Sequence, residues 1–562
     1  MRNKIFTCLV LLIGVFSLNS CVQGDLDDLQ NQIDDLNSTV ANLKQTQQEA
    51  LLAAIANLEA SLANLNSELS GDISEIVTDL GDLGNEITNN ANAVYYGNVI
   101  TDADYTAFTA QGATIITGRV VIASDANVQA LANVKLIGKS LEIMGGGTIT
   151  FDALQSVGEN LLVSSLTDNA TINFSKLASV GGDFRVMSTT GLTSVIADEI
   201  VLISGTLSTE KNTALTTLSL AKLDQVNEVN LNEYYAEDPD YINIGALAVL
   251  DLSSTNVNGD VEIHYISTVD NLALGSVGGN LICEFSDLSK ITFDGTSIGG
   301  EMKIENNKFL TGIDAPNLSR IEGQLRIVSN FDWNTPGSGL VTMPSFAALT
   351  YIGGDVYISS NSSLTSADAF NNVTEVRGTS IDFSTNGNLD NVNIFNALVD
   401  TANPGSQWGD FSHASINIVI NTFWFNGFES LKEAVDVNVN ISKTAGVFDQ
   451  NTGLFEPGGD TAKLEGFDSL TDVSTLNLTA TQVTEFDAFG ALNNFKNFQT
   501  YLTIAMPEDT TVGLCSMAPV LTKVKNGDFD VSWSTDKKAV FTLNWSEVDR
   551  DTAIDQLLST CP

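Results

Sequence analysis

The sequence predicts a mainly β protein: a parallel β-solenoid preceded by an N-terminal α-helical coiled-coil stalk. Two patterns carry that expectation. A set of apolar positions recurs from about residue 97 to 505, and self-similarity at such a period marks stacked units. Ahead of it, residues 24 to about 93 place apolar side chains at alternating spacings of three and four, the seam of a coiled coil. Composition agrees. A chain of 562 residues exceeds one compact core, and 43% hydrophobic content argues against disorder despite a formal net charge of -44. That charge repels nucleic acid and anionic lipid headgroups.

The first element is a targeting segment. Arg2 and Lys4 precede an apolar run of 14 residues, Ile5 to Leu18, which is shorter than a bilayer span. Leu18-Asn19-Ser20-Cys21 follows and resembles the bacterial lipobox, although Asn19 is untypical. The resemblance implies a signal peptide over 1–20, cleavage before Cys21 and acylation of its thiol. Val22, where Asp would retain a lipoprotein at the inner membrane, implies the outer membrane. Asp25, Asp27 and Asp28 resemble a surface-export signal. The expected location is therefore the outer membrane, lipid-anchored, at the cell surface.

Residues 21–96 form the expected stalk. Leu26, Leu29, Ile33, Leu36, Val40 and Leu43 open the heptads, and Leu58, Leu62, Leu65 and Leu69 resume them after steps of four through Gln47, Leu51 and Ile55. Ile73, Ile76, Leu80, Leu83 and Ile87 carry them on. So narrow a stripe needs a partner helix, which predicts self-association; a helix folded back on the body is the alternative. Gly71, Gly81 and Gly84 weaken its last third.

The repeat follows. Phe151-x-x-Leu154-x-x-Val157-Gly-x-x-Leu161-x-Val163 returns as Phe174…Leu177…Val180…Phe184-x-Val186 and as Phe346…Leu349…Ile352…Val356-x-Ile358, with further copies starting at Phe370, Phe428, Phe467 and Phe489. The final apolar-x-apolar is a short strand with one buried face. A glycine pair before it permits close backbone approach. One such unit cannot bury its own apolar face, so units must stack, their strands pairing in parallel. Asn307, Asn330, Asn361 and Asn386 each lie three places after the strand's last inward residue. Stacked at one corner they would form an internal amide ladder; the other reading is a row of ligand-binding amides.

This pattern, with Leu310 and Leu364 after the asparagines, resembles the receptor L-domain, a leucine-rich-repeat-like family. The resemblance implies a right-handed parallel β-helix that serves in binding, and covers roughly residues 115 to 505. The spacings are irregular, and no receptor binding residue carries over. The expected organisation is thus a signal peptide (1–20), a lipid-anchored stalk (21–96), an L-domain-like solenoid (97–505) and a C-terminal cap (506–562). In the cap, Cys515 and Cys561 are expected to form a disulfide, with two free thiols as the alternative. Cys283, in Leu281-Ile282-Cys283, reads as a small core residue rather than a nucleophile.

Catalytic patterns are sparse. His264 and His413 lie in separate repeats, and His264 occupies an outward strand position, where a solvent-facing side chain is expected. No catalytic residue, cofactor or metal is expected. Three function classes remain: a non-catalytic binding or adhesion module, a polysaccharide-degrading β-helix enzyme, and a structural spacer. Basic residues, which a lyase presents to an acidic polymer, are few, and Arg185 and Arg326 stand in separate turns. Two overlong turns favour the first class. One carries Tyr234, Tyr235 and Tyr241, the other Trp333, and insertions in solenoids emerge as loops on one face. These four rings are the candidate docking residues for a glycan or protein ligand. Asp-Ser/Thr-apolar triplets beginning at Asp400, Asp460, Asp468 and Asp551 resemble an O-glycosylation acceptor.

Overall fold

The structure is a computed structural model. It describes a few positions between Glu49 and Asn90, and residues 92–562 except 169, 234–245, 249, 267–270, 333–334, 336–337, 345, 400, 402–412, 443–447, 450–453, 456–461, 480–482, 496–500, 507–512, 527–537 and 544–545. Cys21, Tyr234, Tyr235, Tyr241, Trp333 and nearly all of the heptad seam lie outside the described residues. The chain divides into two units, Met1–Asn256 and Val257–Pro562, which carry about 15 turns of parallel β-solenoid between them.

In the first unit a full turn contributes three strands, for example Ser156–Val157, Leu161–Ser164 and Ala170–Phe174. The same places one turn on pair with them in parallel: Val157 with Val180, Leu161 with Phe184, and Ile172 with Val195. All six side chains are fully buried, because the apolar-x-apolar alternation sends every second residue inward. Arg185, one place after Phe184, points outward and pairs with Asp183 at 2.8 Å.

In the first two turns, helices α1 (Asp102–Gln111) and α2 (Asp125–Ala130) take the sequence place of the third strand. Their start and stop are written locally. The Thr101 hydroxyl accepts from the Asp104 amide, the Asp104 carboxylate accepts from the Thr101 amide at 2.8 Å, and Gly112 closes α1 in the left-handed region. Tyr105 and Phe108 are the residues α1 buries. Near the start of the unit, Ile87 packs with Ala93, Val94, Ile115 and Leu136, and Leu52 lies against the same cluster.

The second unit repeats the plan. The strands Leu281–Glu284, Met302–Glu305, Leu325–Val328 and Val356–Ser359 form one unslipped parallel ladder. Close stacking explains the glycine pairs. A Cβ on Gly299 would collide with the Gly278 carbonyl oxygen of the preceding turn, and one on Gly353 with that of Glu322. Later strands lengthen to Ser380–Ile394 and Ser415–Gly427.

The repeat-starting phenylalanines have a role beyond apolarity. Phe346, Phe370, Phe395, Phe428, Phe467 and Phe489 stack ring on ring, with successive centroids 5.2, 5.0, 5.5, 5.1 and 4.8 Å apart. All six hold positive φ, between 44° and 60°. That backbone costs a bulky L-residue ~1–2 kcal/mol. Burial of a Phe side chain, worth ~2–3 kcal/mol, and stacking, worth ~0.5–1.5 kcal/mol, outweigh it.

Parallel pairing runs on through Tyr501–Met506 to Lys538–Leu543, on which Ser546–Val548 turns back antiparallel. Helices α3 (Ala518–Asn526) and α4 (Arg550–Leu558) bury Leu521, Val524, Ile554 and Leu557. A disulfide joins Cys515 to Cys561.

Candidate functional site: an αL corner of the solenoid

In nine turns the residue two places after the strand's last inward side chain turns the corner. In the first unit Ser165, Ser188 and Lys211 hold this place; in the second, Tyr265, Phe285, Asn306, Ser329, Ser360 and Thr385 do. All nine have positive φ. Their amides still extend the parallel ladder: Phe285 donates to the Glu305 carbonyl at 3.2 Å and Asn306 to that of Val328 at 3.1 Å. The turn throws each corner residue outward and the next residue inward.

The inward residues form a polar column. The Asn307 amide donates to Asn330 Oδ1 at 3.1 Å, that of Asn330 to Asn361 Oδ1 at 3.1 Å, and that of Asn361 to Asn386 Oδ1 at 3.1 Å. Each Nδ2 reaches back to a strand carbonyl: Cys283 at 2.9 Å, Ile304 at 2.8 Å, Ile327 at 2.9 Å and Ile358 at 2.9 Å. All four asparagines are buried. This is the internal ladder, and the ligand-row reading falls because the amides are spent inside. Ser286 continues the column, its amide donating to Asn307 Oδ1 at 3.0 Å. In the first unit Thr189, Asn212 and Glu233 occupy it: the Thr189 hydroxyl donates to Asn212 Oδ1 at 2.7 Å, and the Asn212 amide to Glu233 Oε2 at 2.6 Å. Burial raises the Glu233 pKa, partly offset by these donors. Glu233 immediately precedes the insertion that carries Tyr234, Tyr235 and Tyr241.

Outside the corner, the second unit departs from small residues. The Tyr265 and Phe285 rings stack at 5.4 Å, with planes 7° apart. Phe285 keeps 42% of its surface exposed and Phe309 keeps 41%. The Lys308 ammonium lies 5.0 Å from the Phe309 ring and 3.3 Å from the Asp287 carboxylate. Two turns beyond Phe285, the same corner at Ser329 releases the insertion that contains Trp333; its first residues, Asn330 and Phe331, are buried.

The adjacent strand row is electrostatically closed. Lys303 contacts Glu284 at 2.7 Å and Glu305 at 3.7 Å, Arg326 donates to Glu305 at 2.7 Å, and the Arg326 guanidinium lies 4.8 Å from the Tyr357 ring. His264 does point outward, but it is shielded rather than solvent-facing: its side chain is 19% exposed, 3.7 Å from Glu284. Burial lowers its pKa, against the pull of Glu284, so the imidazole is neutral at pH 7. Cys283 is wholly buried, and burial raises its thiol pKa; the thiol is inert packing. Thr401, the acceptor of one Asp-Thr-Ala triplet, is buried and accepts from the Ala414 amide at 3.2 Å, which closes it to modification. Among the described residues, no group of three or more His, Cys, Asp or Glu is placed to hold a metal ion.

Sequence reasoning marked the asparagines but missed Tyr265, Phe285 and Phe309. The signal was available: counting two places on from Ile263 and Cys283 reaches Tyr265 and Phe285. Compared with family models, curated proteins and solved structures, the chain has no match.

Proposed function

We propose that the protein is a cell-surface, outer-membrane lipoprotein, anchored through Cys21, that acts as a non-catalytic binding or adhesion module. The stalk self-associates and holds a right-handed, L-domain-like solenoid away from the membrane. The two long insertions present Tyr234, Tyr235, Tyr241 and Trp333 to a glycan or protein ligand. The observation that supports this reading is the corner of the second unit. Its inward groups are saturated by one another, while aromatic surface is left outside, where folding gains least from it.

The test is replacement of all four insertion rings with Ala in the full-length, surface-displayed protein. Adhesion to glycan-coated or protein-coated surfaces should fall, with the thermal midpoint nearly unchanged. A large drop in stability assigns the rings to packing, and unaltered adhesion removes them from the docking face. Cys21→Ala should release the protein from membranes; full partitioning with membranes would overturn the anchor.

A further inference from the structure

We infer that the Phe285 corner is itself a subsite for a neutral pyranose, stacked on the Phe285 ring and oriented by Asn306, Asp287 and Lys308. The inference deepens the binding reading above, and rests on it, by naming a ligand class and residues outside the insertions.

The argument starts from a contrast between the two left-handed columns. Where Phe370, Phe395, Phe428, Phe467 and Phe489 adopt positive φ, their side chains are sealed in the core, and packing offsets the backbone strain. At the outer corner, outside the core, seven of the nine positions hold Ser, Asn, Thr or Lys. Phe285 takes the same strained backbone, yet 42% of its surface stays exposed. The stack on Tyr265 offsets part of that backbone cost, but it leaves apolar ring surface outside at a position that Ser fills elsewhere, and that exposed surface points to a ligand.

The surroundings select the ligand. Tyr265 covers one face of Phe285 in a parallel stack and fixes the ring's orientation. On the next turn the corner residue is Asn306, shorter and polar, which leaves the outer part of the Phe285 ring as an apolar surface beside an amide. Asp287 and Lys308, each two residues on from the corner residues Phe285 and Asn306, pair at 3.3 Å and supply an acceptor and a donor of zero net charge, and the Lys308 ammonium lies 5.0 Å from the exposed Phe309 ring. An aromatic surface flanked by an amide, a carboxylate and an ammonium matches a sugar's C–H face rimmed by hydroxyls. The sugar is neutral, because the chain's net charge of -44 repels uronates and sulfated polymers.

The test is calorimetric titration of the full chain with neutral oligosaccharides (cello-, manno-, xylo- and chito-hexaose) and with an oligogalacturonate. Phe285→Ser is the informative variant, because Ser occupies this corner at 165, 188, 329 and 360 and the backbone conformation is therefore tolerated. At least one neutral oligosaccharide should bind, Phe285→Ser should weaken it tenfold or more with an unchanged thermal midpoint, and Phe285→Tyr should bind as the parent does. If none of the neutral oligosaccharides binds, or the oligogalacturonate binds more tightly, or Phe285→Ser binds as the parent does, the subsite is refuted. A Phe285→Ser protein that still adheres while the insertion-ring variant does not would sink this inference and leave the binding reading standing. The opposite pattern would preserve the subsite and overturn the insertions as the docking face.

Discussion

Replacing Asn330 with Leu tests whether the amide column holds the second unit together. The side chain accepts from the Asn307 amide at 3.1 Å and from Asn307 Nδ2 at 3.1 Å, and donates to the Ile304 carbonyl at 2.8 Å and to Asn361 Oδ1 at 3.4 Å. Two of these partners keep another bond: Asn307 Nδ2 retains the Cys283 carbonyl, and Asn361 Oδ1 retains the Asn330 backbone amide. The Asn307 N–H loses its partner, while the Ile304 carbonyl keeps its place in the parallel ladder between Met302–Glu305 and Leu325–Val328. A buried N–H left unpaired costs ~1–3 kcal/mol and the lost amide–carbonyl bond ~1 kcal/mol, together ~2–4 kcal/mol. Leu shares the γ-branched shape of Asn but is larger, so overpacking of ~1–3 kcal/mol offsets the ~1–2 kcal/mol regained by apolar burial, which leaves a net loss of ~3 kcal/mol. The assay is urea denaturation of the full chain, read as the shift of the second unit's transition. Asn372→Leu is the control: its amide reaches the Ala347 carbonyl from an exposed position, and it should shift stability by no more than ~0.5 kcal/mol. If Asn330→Leu unfolds within ~0.5 kcal/mol of the parent, the column carries no net stability and its energetic reading is refuted.

Phe395 sits at φ 54° in the ring stack, so the usual order of Ala over Gly should invert there. Phe395→Ala and Phe395→Gly both open a cavity and should each cost ~3–5 kcal/mol, with Gly the less damaging by ~1 kcal/mol because it relieves the left-handed strain; denaturant midpoints showing Ala clearly better would contradict that strain. Asp468 has its pKa raised by burial and by the neighbouring Glu429, Asp487 and Glu465. A folded-state pKa above the unfolded value means that folding takes up a proton, so the ionised side chain opposes folding at neutral pH and the penalty disappears as pH falls through the raised pKa and below the ordinary one. Asp468→Asn should therefore raise the thermal midpoint at pH 7 and lose that advantage towards pH 3, and a benefit independent of pH would exclude the carboxylate repulsion as its cause.

The solenoid was legible in the sequence because its period is imposed by burial. Val157, Val180 and Ile203 must each fill the same interior place, so the same residue class recurs. The asparagine column was legible where one residue type persists, at 307, 330, 361 and 386, and not where Ser286, Thr189, Asn212 or Glu233 serve the same hydrogen bonds with different side chains. The outer corner left less trace. What it requires is a positive φ and an outward direction, conditions met by Ser, Lys and Phe alike, so no residue pattern announces it. Helix α1 is a different case. Its Thr101-x-x-Asp104 box and Gly112 stop are local helix signals, but the segment stands where later turns of the repeat carry a strand. The left-handed backbone of the phenylalanines was hidden for the opposite reason: as apolar repeat starts they looked ordinary.

In-register pairing of successive turns gives the molecule a quantum of length. The strand beginning at Leu325 pairs residue for residue with those beginning at Met302 and Val356, although 23 residues separate it from the former and 31 from the latter. The extra residues of the longer turn lie outside the paired strand, beyond the corner at Ser329. A single residue gained or lost within Leu325–Val328 would instead send Ile327 outward and Arg326 inward. Corners therefore absorb insertions of any size, whereas strands accept change only by the whole turn. In such a protein new loops can be acquired and discarded at the corners without renegotiating the core, and the corners are where divergence between descendants of this chain would accumulate.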